Sequence, residues 1–132
     1  MKAGIYAVYT TTDTAVADGG TLPLSTIVRR YGCAVNLTGN SIILAESGYY
    51  DVKATVTLKA TAATSPYTVT LYQDGVPVNG ATASGVAAAA DDLITLPVAA
   101  LVRTQCAPSL LTLVVGGTAA ETANTAIVVE KV

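Results

Sequence analysis

Few side chains in this sequence are equipped for catalysis or metal binding. The chain has no His, the side chain that titrates near neutral pH and the commonest metal ligand. Ser-His-Asp and Cys-His catalysis and imidazole-ligated zinc sites are therefore excluded. The two cysteines, Cys33 and Cys106, are too few for a four-thiolate zinc site. They are either two buried thiols or one long-range disulfide, and because no signal-peptide core follows Met1, we favour reduced, buried thiols.

Acidic residues are the remaining candidates for a metal or catalytic site. Asp91 and Asp92, with Asp13, Asp18 and Glu121, could supply oxygen ligands to Ca²⁺, or a carboxylate pair like that of a glycosidase. The sequence has no loop with regularly spaced acidic residues, and adjacent aspartates project apart. We therefore interpret Asp91 and Asp92 as part of a solvated loop, and we predict no enzymatic activity, no metal and no cofactor.

Other polar signals are weak. Arg29-Arg30 is the only adjacent basic pair, and it either meets an acidic partner or phosphate or forms ordinary ion pairs, which we favour. Asn36-Leu37-Thr38 has the spacing of a glycosylation sequon, which we interpret as coincidence.

The composition describes a domain that needs its surface covered. Of 132 residues, 52% are hydrophobic and only 12% charged, about half the usual charged share, with a net charge of -2. Such a balance excludes strong nucleic-acid binding, and no apolar run is long enough to cross a membrane. One domain of this size with so few charges is expected to pack against copies of itself or a larger assembly.

The elements that carry these residues are strands. Between residues 48 and 59, apolar and polar side chains alternate with period two over ten positions, starting with Tyr50, Asp51 and Val52. The same alternation covers residues 67–72, and Asp74-Gly75 predicts a tight hairpin turn. The return strand at residues 76–78 contains Pro77, which cannot donate to a ladder, so it is predicted at a sheet edge.

Turn residues at intervals of roughly ten separate further predicted strands. These cover residues 5–10, 22–28, 33–37, 41–44, 93–104, 110–115 and 126–132. Residues 85–92 are predicted to form a loop or irregular edge. The sequence therefore predicts an all-β sandwich or jelly roll of one domain.

The order of motifs resembles a known family. Residues 16–24 match a V-x-x-G-G-x-hydrophobic-P-hydrophobic opening, residues 42–52 match an I-x-L then G-x-Y-x-V strand pair, and residues 69–78 match a V-x-L-x-x-(N/D)-G-x-x-V hairpin. Residues 127–132 resemble the closing strand. Together the motifs resemble the small phage and Firmicute domains related to complement and tumour-necrosis-factor (TNF) globular heads. The chain lacks the collagen-like stalk found on some of these relatives.

This resemblance implies an antiparallel TNF-like jelly roll that forms a compact homotrimer in a phage virion. The predicted function is a capsid decoration protein, made in the bacterial cytoplasm, that docks on the major capsid protein lattice and stabilises it. The alternatives are a fibre-tip module that binds a host-surface glycan, and a bacterial surface or spore-coat trimer.

Two groups of residues are candidates for these contacts. Tyr50 is either a core residue, which its alternating strand favours, or a residue at the three-fold axis. Tyr31, Tyr67 and Tyr72 stack on carbohydrate or lie at an interface, and we favour the interface. The trimer-interface candidates are Tyr50, Tyr67 and Tyr72. Residues 1–15 are expected to form an N-terminal arm and first strand, and 16–132 the jelly roll; the capsid-docking candidates in that arm are Lys2, Ile5, Tyr6 and Tyr9.

Overall fold

The computed structural model describes residues 2–105 and 108–132. This part of the chain contains strands and no helix, so no helix in it is long and apolar enough to cross a membrane. In chain order the strands are β1 (Gly4–Tyr9), β2 (Ala15–Val16), β3 (Thr26–Tyr31), β4 (Val35–Thr38), β5 (Ser41–Leu44), β6 (Gly48–Ala60), β7 (Pro66–Gln73), β8 (Val76–Val86), β9 (Leu93–Thr104), β10 (Ser109–Gly116) and β11 (Ala120–Lys131).

The strands form two antiparallel sheets packed face to face. The front sheet has the order β3-β1-β11-β6-β9, with β2 added to the end of β11. The back sheet has the order β4-β5-β10-β7-β8. From β5 onward the chain passes repeatedly between the sheets, so most hydrogen-bonded neighbours are far apart in sequence. This is the antiparallel jelly-roll sandwich that the sequence predicts.

The inward residues of both sheets form one apolar core. In β6 the residues with the parity of Tyr50, Val52 and Val56 are buried, while Lys53 and Thr55 face outward. On the facing sheet, Leu71 and Leu113 pair across β7 and β10 and are also fully buried. The alternating strands are therefore confirmed.

The turn at Asp74-Gly75 is confirmed as well. Asp74 has a φ of 53° and Gly75 a φ of 80°, the two left-handed residues that a tight hairpin requires. β8 lies at the outer edge of the back sheet, as its proline predicts. β8 extends to Val86, well beyond the predicted end at residue 78, across a register shift opposite Thr70 and Tyr72.

Other boundaries differ from the prediction. The strand expected at residues 22–28 is β3, which starts at Thr26, because Pro23 cannot continue a ladder. Leu22 and Leu24 are nevertheless buried in the core, and the Leu22 N–H donates to the Leu113 carbonyl at 2.7 Å. β11 starts at Ala120, six residues before the predicted start, because a register shift near Thr122 lets pairing with β6 continue.

The N-terminal segment is not a separate arm. β1 lies inside the front sheet, paired with β11 on one side and β3 on the other. Ile5, proposed as a docking residue, is buried in the core. That proposal was wrong because Ile5 shares its parity with Ala7 on the inward face of β1.

The prediction of buried thiols is wrong for Cys33, although the prediction that it is unbonded agrees with the structure. Cys33 is exposed, not buried, and forms no disulfide within residues 2–105 and 108–132. It lies in the short connection between β3 and β4, where the chain turns at the end of the sandwich. Cys106 lies outside the described residues.

One buried hydroxyl lacks a partner. Thr125 of β11 is fully buried, and its Oγ1 makes no hydrogen bond to the described residues. An unsatisfied buried hydroxyl costs about 1 to 3 kcal/mol. We therefore expect Thr125→Val, which keeps the shape, to raise the free energy of unfolding by about 1 kcal/mol in urea denaturation.

Thr122 is the matched control, since its buried hydroxyl is satisfied. Its Oγ1 donates to the Thr11 carbonyl at 2.8 Å and accepts from the Thr14 N–H at 3.2 Å. Thr122→Val should lower the free energy of unfolding by about 1 to 2 kcal/mol, because it leaves two backbone groups unpaired. An equal loss of stability in both variants would contradict the assignment of Thr125.

Candidate functional site

Surfaces, not clefts, are the candidate sites of this protein. Within residues 2–105 and 108–132 no cavity was found, and no three Asp, Glu or Cys side chains converge as metal ligands would. Asp92 instead accepts a hydrogen bond from the Ala89 N–H at 3.1 Å within its own loop. The loop interpretation of these aspartates agrees with this geometry.

The outer face of the front sheet has an apolar centre. We call the residues Tyr6, Val8, Ala126 and Val128 the central patch; they lie on β1 and β11, two neighbouring inner strands of the sheet. Register pairing places Tyr6 opposite Val128 and Val8 opposite Ala126. Tyr6 is 37% exposed although it is a large aromatic residue, Ala126 and Val128 are half-buried, and Val8 is buried. An apolar patch in the middle of an open sheet is a candidate contact surface.

A second apolar surface lies at the edge of the same face. We call the outward residues Leu93, Thr95, Pro97, Ala99 and Leu101 of β9 the edge strip. Leu93 is 65% exposed and Leu101 64% exposed, far more than is usual for leucine in a single folded domain. β9 is the last strand of the front sheet, so the edge strip borders open solvent.

Charges of both signs surround these apolar surfaces. On β6, between the patch and the strip, Lys53 lies 3.6 Å from Asp51. Near the C-terminal end of β6, Lys59 Nζ lies 3.1 Å from Asp13 and 3.9 Å from Asp91. The hydrogen bond and charge of Asp13, aided by Asp91, raise the pKa of Lys59 above its ordinary value. Each of these cations therefore already has a partner within its own chain.

Charged side chains at the opposite end of the front sheet, near the start of β6, also have partners within the chain. Lys131 Nζ donates to Glu46 at 2.9 Å, which raises the pKa of Lys131. The Tyr31 hydroxyl donates to Glu130 at 3.4 Å, and the Arg103 guanidinium lies over the Tyr49 ring at 5.6 Å. These pairs are partly exposed, so they contribute more to the shape of the surface than to stability.

The predicted interface tyrosines do not share one surface. Tyr50 and Tyr67 are fully buried inside the sandwich, so their assignment to a trimer interface was wrong. The Tyr50 hydroxyl donates to the Glu46 carbonyl at 2.7 Å, and burial raises the pKa of Tyr50. The Tyr67 oxygen accepts the Thr61 N–H at 2.9 Å and the Ala62 N–H at 3.1 Å. Both hydroxyls thus anchor loops at the ends of the core. Tyr72 is half-buried on the outer face of the back sheet, away from the central patch.

The predicted docking residues are also divided. Tyr6 belongs to the central patch, Lys2 is exposed just before β1, and the Tyr9 hydroxyl is hydrogen-bonded to Thr14 Oγ1 at 2.9 Å. The edge strip was missed. Its signal was present, because both parities of residues 93–104 are mostly apolar, which a strand with one solvated face does not need.

Comparison with solved structures identifies the fold class. No protein-family model and no curated protein matches the sequence. Murine APRIL at pH 5.0 superposes with a TM-score of 0.75 and 13% identity over all of both chains. The globular domain of the zebrafish complement 1qA protein gives a TM-score of 0.70 and 5% identity over 96% of this chain and 94% of that one. The sandwich therefore has the TNF-like and complement 1q-like jelly-roll fold, which confirms the resemblance seen in the sequence motifs.

A third similar structure comes from a virus. PRD1 vertex protein P5 gives a TM-score of 0.66 and 15% identity, with 98% of this chain and 72% of that chain covered. At these identities the comparisons establish a shared fold and leave partners and assembly to be argued from the surfaces.

Proposed function

We propose that the protein is a non-enzymatic structural protein of a virion, a homotrimer that decorates the capsid. The observation that carries the proposal is the pair of exposed apolar surfaces on the front sheet. The central patch, whose Tyr6 is 37% exposed, and the edge strip, whose Leu93 and Leu101 are 65% and 64% exposed, are two different surfaces on one chain.

Two different complementary surfaces favour a closed ring. When the edge strip of one protomer packs on the central patch of the next, the contact is heterologous, and a rotation of 120° closes it after three copies. Pro97 within the edge strip has no N–H, so β9 is poorly suited to extend a neighbour's sheet by strand pairing. The strip is therefore expected to lie across a neighbour's face.

The charges between the two surfaces are compatible with this contact. Burying an unpaired charge at an interface is costly, whereas charges that keep a partner and some solvent contact are tolerated. Lys53 with Asp51 and Lys59 with Asp13 and Asp91 supply such local partners. The ring thus covers apolar area without leaving an isolated cation.

A virion location is supported by the fold shared with the PRD1 vertex protein and by the sequence resemblance to phage domains. A rigid trimer matches the three-fold positions of a capsid lattice. Because such a protein binds assembled shells and not dissociated subunits, it would stabilise the shell by mass action. The TNF-like and complement 1q-like neighbours also fit a role in binding rather than catalysis.

Two measurements test the proposal. At about 1 µM the purified chain should sediment as a trimer of about 40 kDa, three times its 13.3 kDa. Quantitative mass spectrometry of purified particles should find hundreds of copies relative to the major capsid protein. A monomer would contradict the trimer, and a handful of copies, or recovery from cell envelopes, would contradict capsid decoration.

A further inference from the structure

The five strands of the back sheet carry no charged residue. No Lys, Arg, Asp or Glu occurs in any of the five strands β4, β5, β7, β8 and β10, which the structure describes completely. The front-sheet strands hold nine charged residues: Arg29, Arg30, Asp51, Lys53, Lys59, Arg103, Glu121, Glu130 and Lys131. In the proposed trimer the back sheet points away from the three-fold axis, so this uncharged wall is the surface that remains outside.

Some hydroxyls of this wall are hydrogen-bonded to one another. Thr70 and Thr82 face each other across β7 and β8, with their Oγ1 atoms 3.1 Å apart. Along β10 the outward residues include Leu110, which is 40% exposed, and Val114. A hydroxyl that already has a hydrogen-bond partner in the protein loses less free energy when its hydration water is displaced. This face can therefore be covered at a low desolvation cost.

We propose that this wall binds the same wall of a second copy, sheet on sheet, about a two-fold axis. An uncharged surface is best covered by a surface that is also uncharged, since burying an unpaired charge is unfavourable. Among the two sheet faces of this chain, the back face alone meets that requirement. In a two-fold contact residue i of one copy meets residue j of the other and j meets i, and on an uncharged face none of these pairs brings like charges together.

The available area is sufficient for a weak specific contact. Five strands about 4.8 Å apart, with their combined length at about 3.3 Å per residue, outline about 550 Å² per copy. The pair would bury about 1,100 Å², near the lower limit of about 1,000 Å² for specific interfaces. We therefore expect the contact to form at high protein concentration and not at about 1 µM.

Acidic residues lie only at the borders of the wall. Asp74 follows β7 and accepts the Leu110 N–H at 2.9 Å, and Asp18 lies beside Gly116 at the other end. Two acidic borders repel across a self-contact, and salt screens this repulsion. Association through the wall should therefore strengthen as salt is added, the opposite of a contact held by ion pairs.

The contact between two walls does not require the trimer, but the larger assembly that it would produce rests on the proposed function. Trimers that carry three outward walls, each able to bind another, would join side by side into an extended layer or a closed shell. This would make the protein able to assemble laterally on a surface in addition to docking on it.

Sedimentation velocity at about 500 µM, in low and high salt, tests the contact. The wild type is expected to reach six copies or more, at least about 80 kDa for a 13.3 kDa chain, with more association at high salt. Leu110→Lys places a charge in the wall and should stop assembly at the trimer, weakening the contact at least tenfold. Thr82→Lys, at an exposed position of β8, provides a second variant if the first folds poorly by circular dichroism.

A matched variant separates this contact from the trimer. Leu101→Lys makes a similar change in the edge strip, and should leave a dimer of about 27 kDa at high concentration. If only the trimer proposal fails, the wild type itself will form dimers that Leu110→Lys converts to monomers. A wild type that stays trimeric at 500 µM, or a Leu110→Lys chain that assembles like the wild type, would overturn the wall contact.

Discussion

A chain that lacks residues 2–12 is expected not to fold. The deletion removes β1, which pairs with β11 and β3 inside the front sheet. It also removes the buried side chains of Ala3, Ile5 and Ala7 from the core. Each buried aliphatic side chain of the size of Ile5 stabilises by about 1.5 to 3 kcal/mol, and a domain has only about 5 to 15 kcal/mol in total. Because the hydrogen bonds of β1 to β11 and β3 are lost as well, we expect no cooperative unfolding transition.

Circular dichroism during heating measures this result. Lys2→Ala is the control, because Lys2 is exposed and precedes β1, and this variant should melt like the wild type. If the shortened chain instead melted cooperatively and remained trimeric, residues 2–12 would be a dispensable arm, and the role assigned to β1 would be wrong.

Leu101→Lys is expected to convert the trimer to monomers at about 1 µM. The leucine is 64% exposed in the single chain, so the substitution should change the stability of the monomer by no more than about 0.5 kcal/mol. In the ring, however, the same position is covered three times, and each contact would bury an added lysine, whose cross-strand neighbour Asp51 already pairs with Lys53. A penalty of about 2 kcal/mol per contact weakens each one about thirtyfold.

Sedimentation velocity distinguishes the two masses, about 40 and 13.3 kDa. Leu110→Lys is the matched control, because it makes the same change at an exposed leucine of the back sheet, away from both front-sheet surfaces. It should remain trimeric at this concentration. A Leu101→Lys chain that still sediments as a trimer would show that the edge strip lies outside the interface.

Much of the fold could be predicted because its signals are local. Alternation in β6 depends only on the two-residue period of a strand, and the Asp74-Gly75 turn depends only on backbone conformations that these residue types accept. The errors arose where a neighbour in space decides the outcome. β11 begins six residues before its predicted start because β6 and β2 pair with it there. The residue types at positions 120–125 do not indicate those partners.

The site residues show the same division. The parity of Tyr50 with Val52, and of Tyr67 with Val69, places both tyrosines on inward faces, so the sequence contained their burial. The resemblance suggested an interface for Tyr50, and the frequency of tyrosine at interfaces suggested it for Tyr67. Ile5 is likewise assigned to the core by its parity with Ala7.

By itself, the sequence determined that the chain forms strands, where it turns, that it lacks the residues for His-dependent catalysis, and that it has apolar surface to cover. The tertiary structure decided which apolar residues remain outside. Both parities of β9 are mostly apolar, and only its place at the edge of the front sheet leaves Leu93 and Leu101 exposed and buries Leu96 and Val98. The reason is physical: a strand's period fixes which residues share a face, but which face meets the core depends on strands distant in sequence.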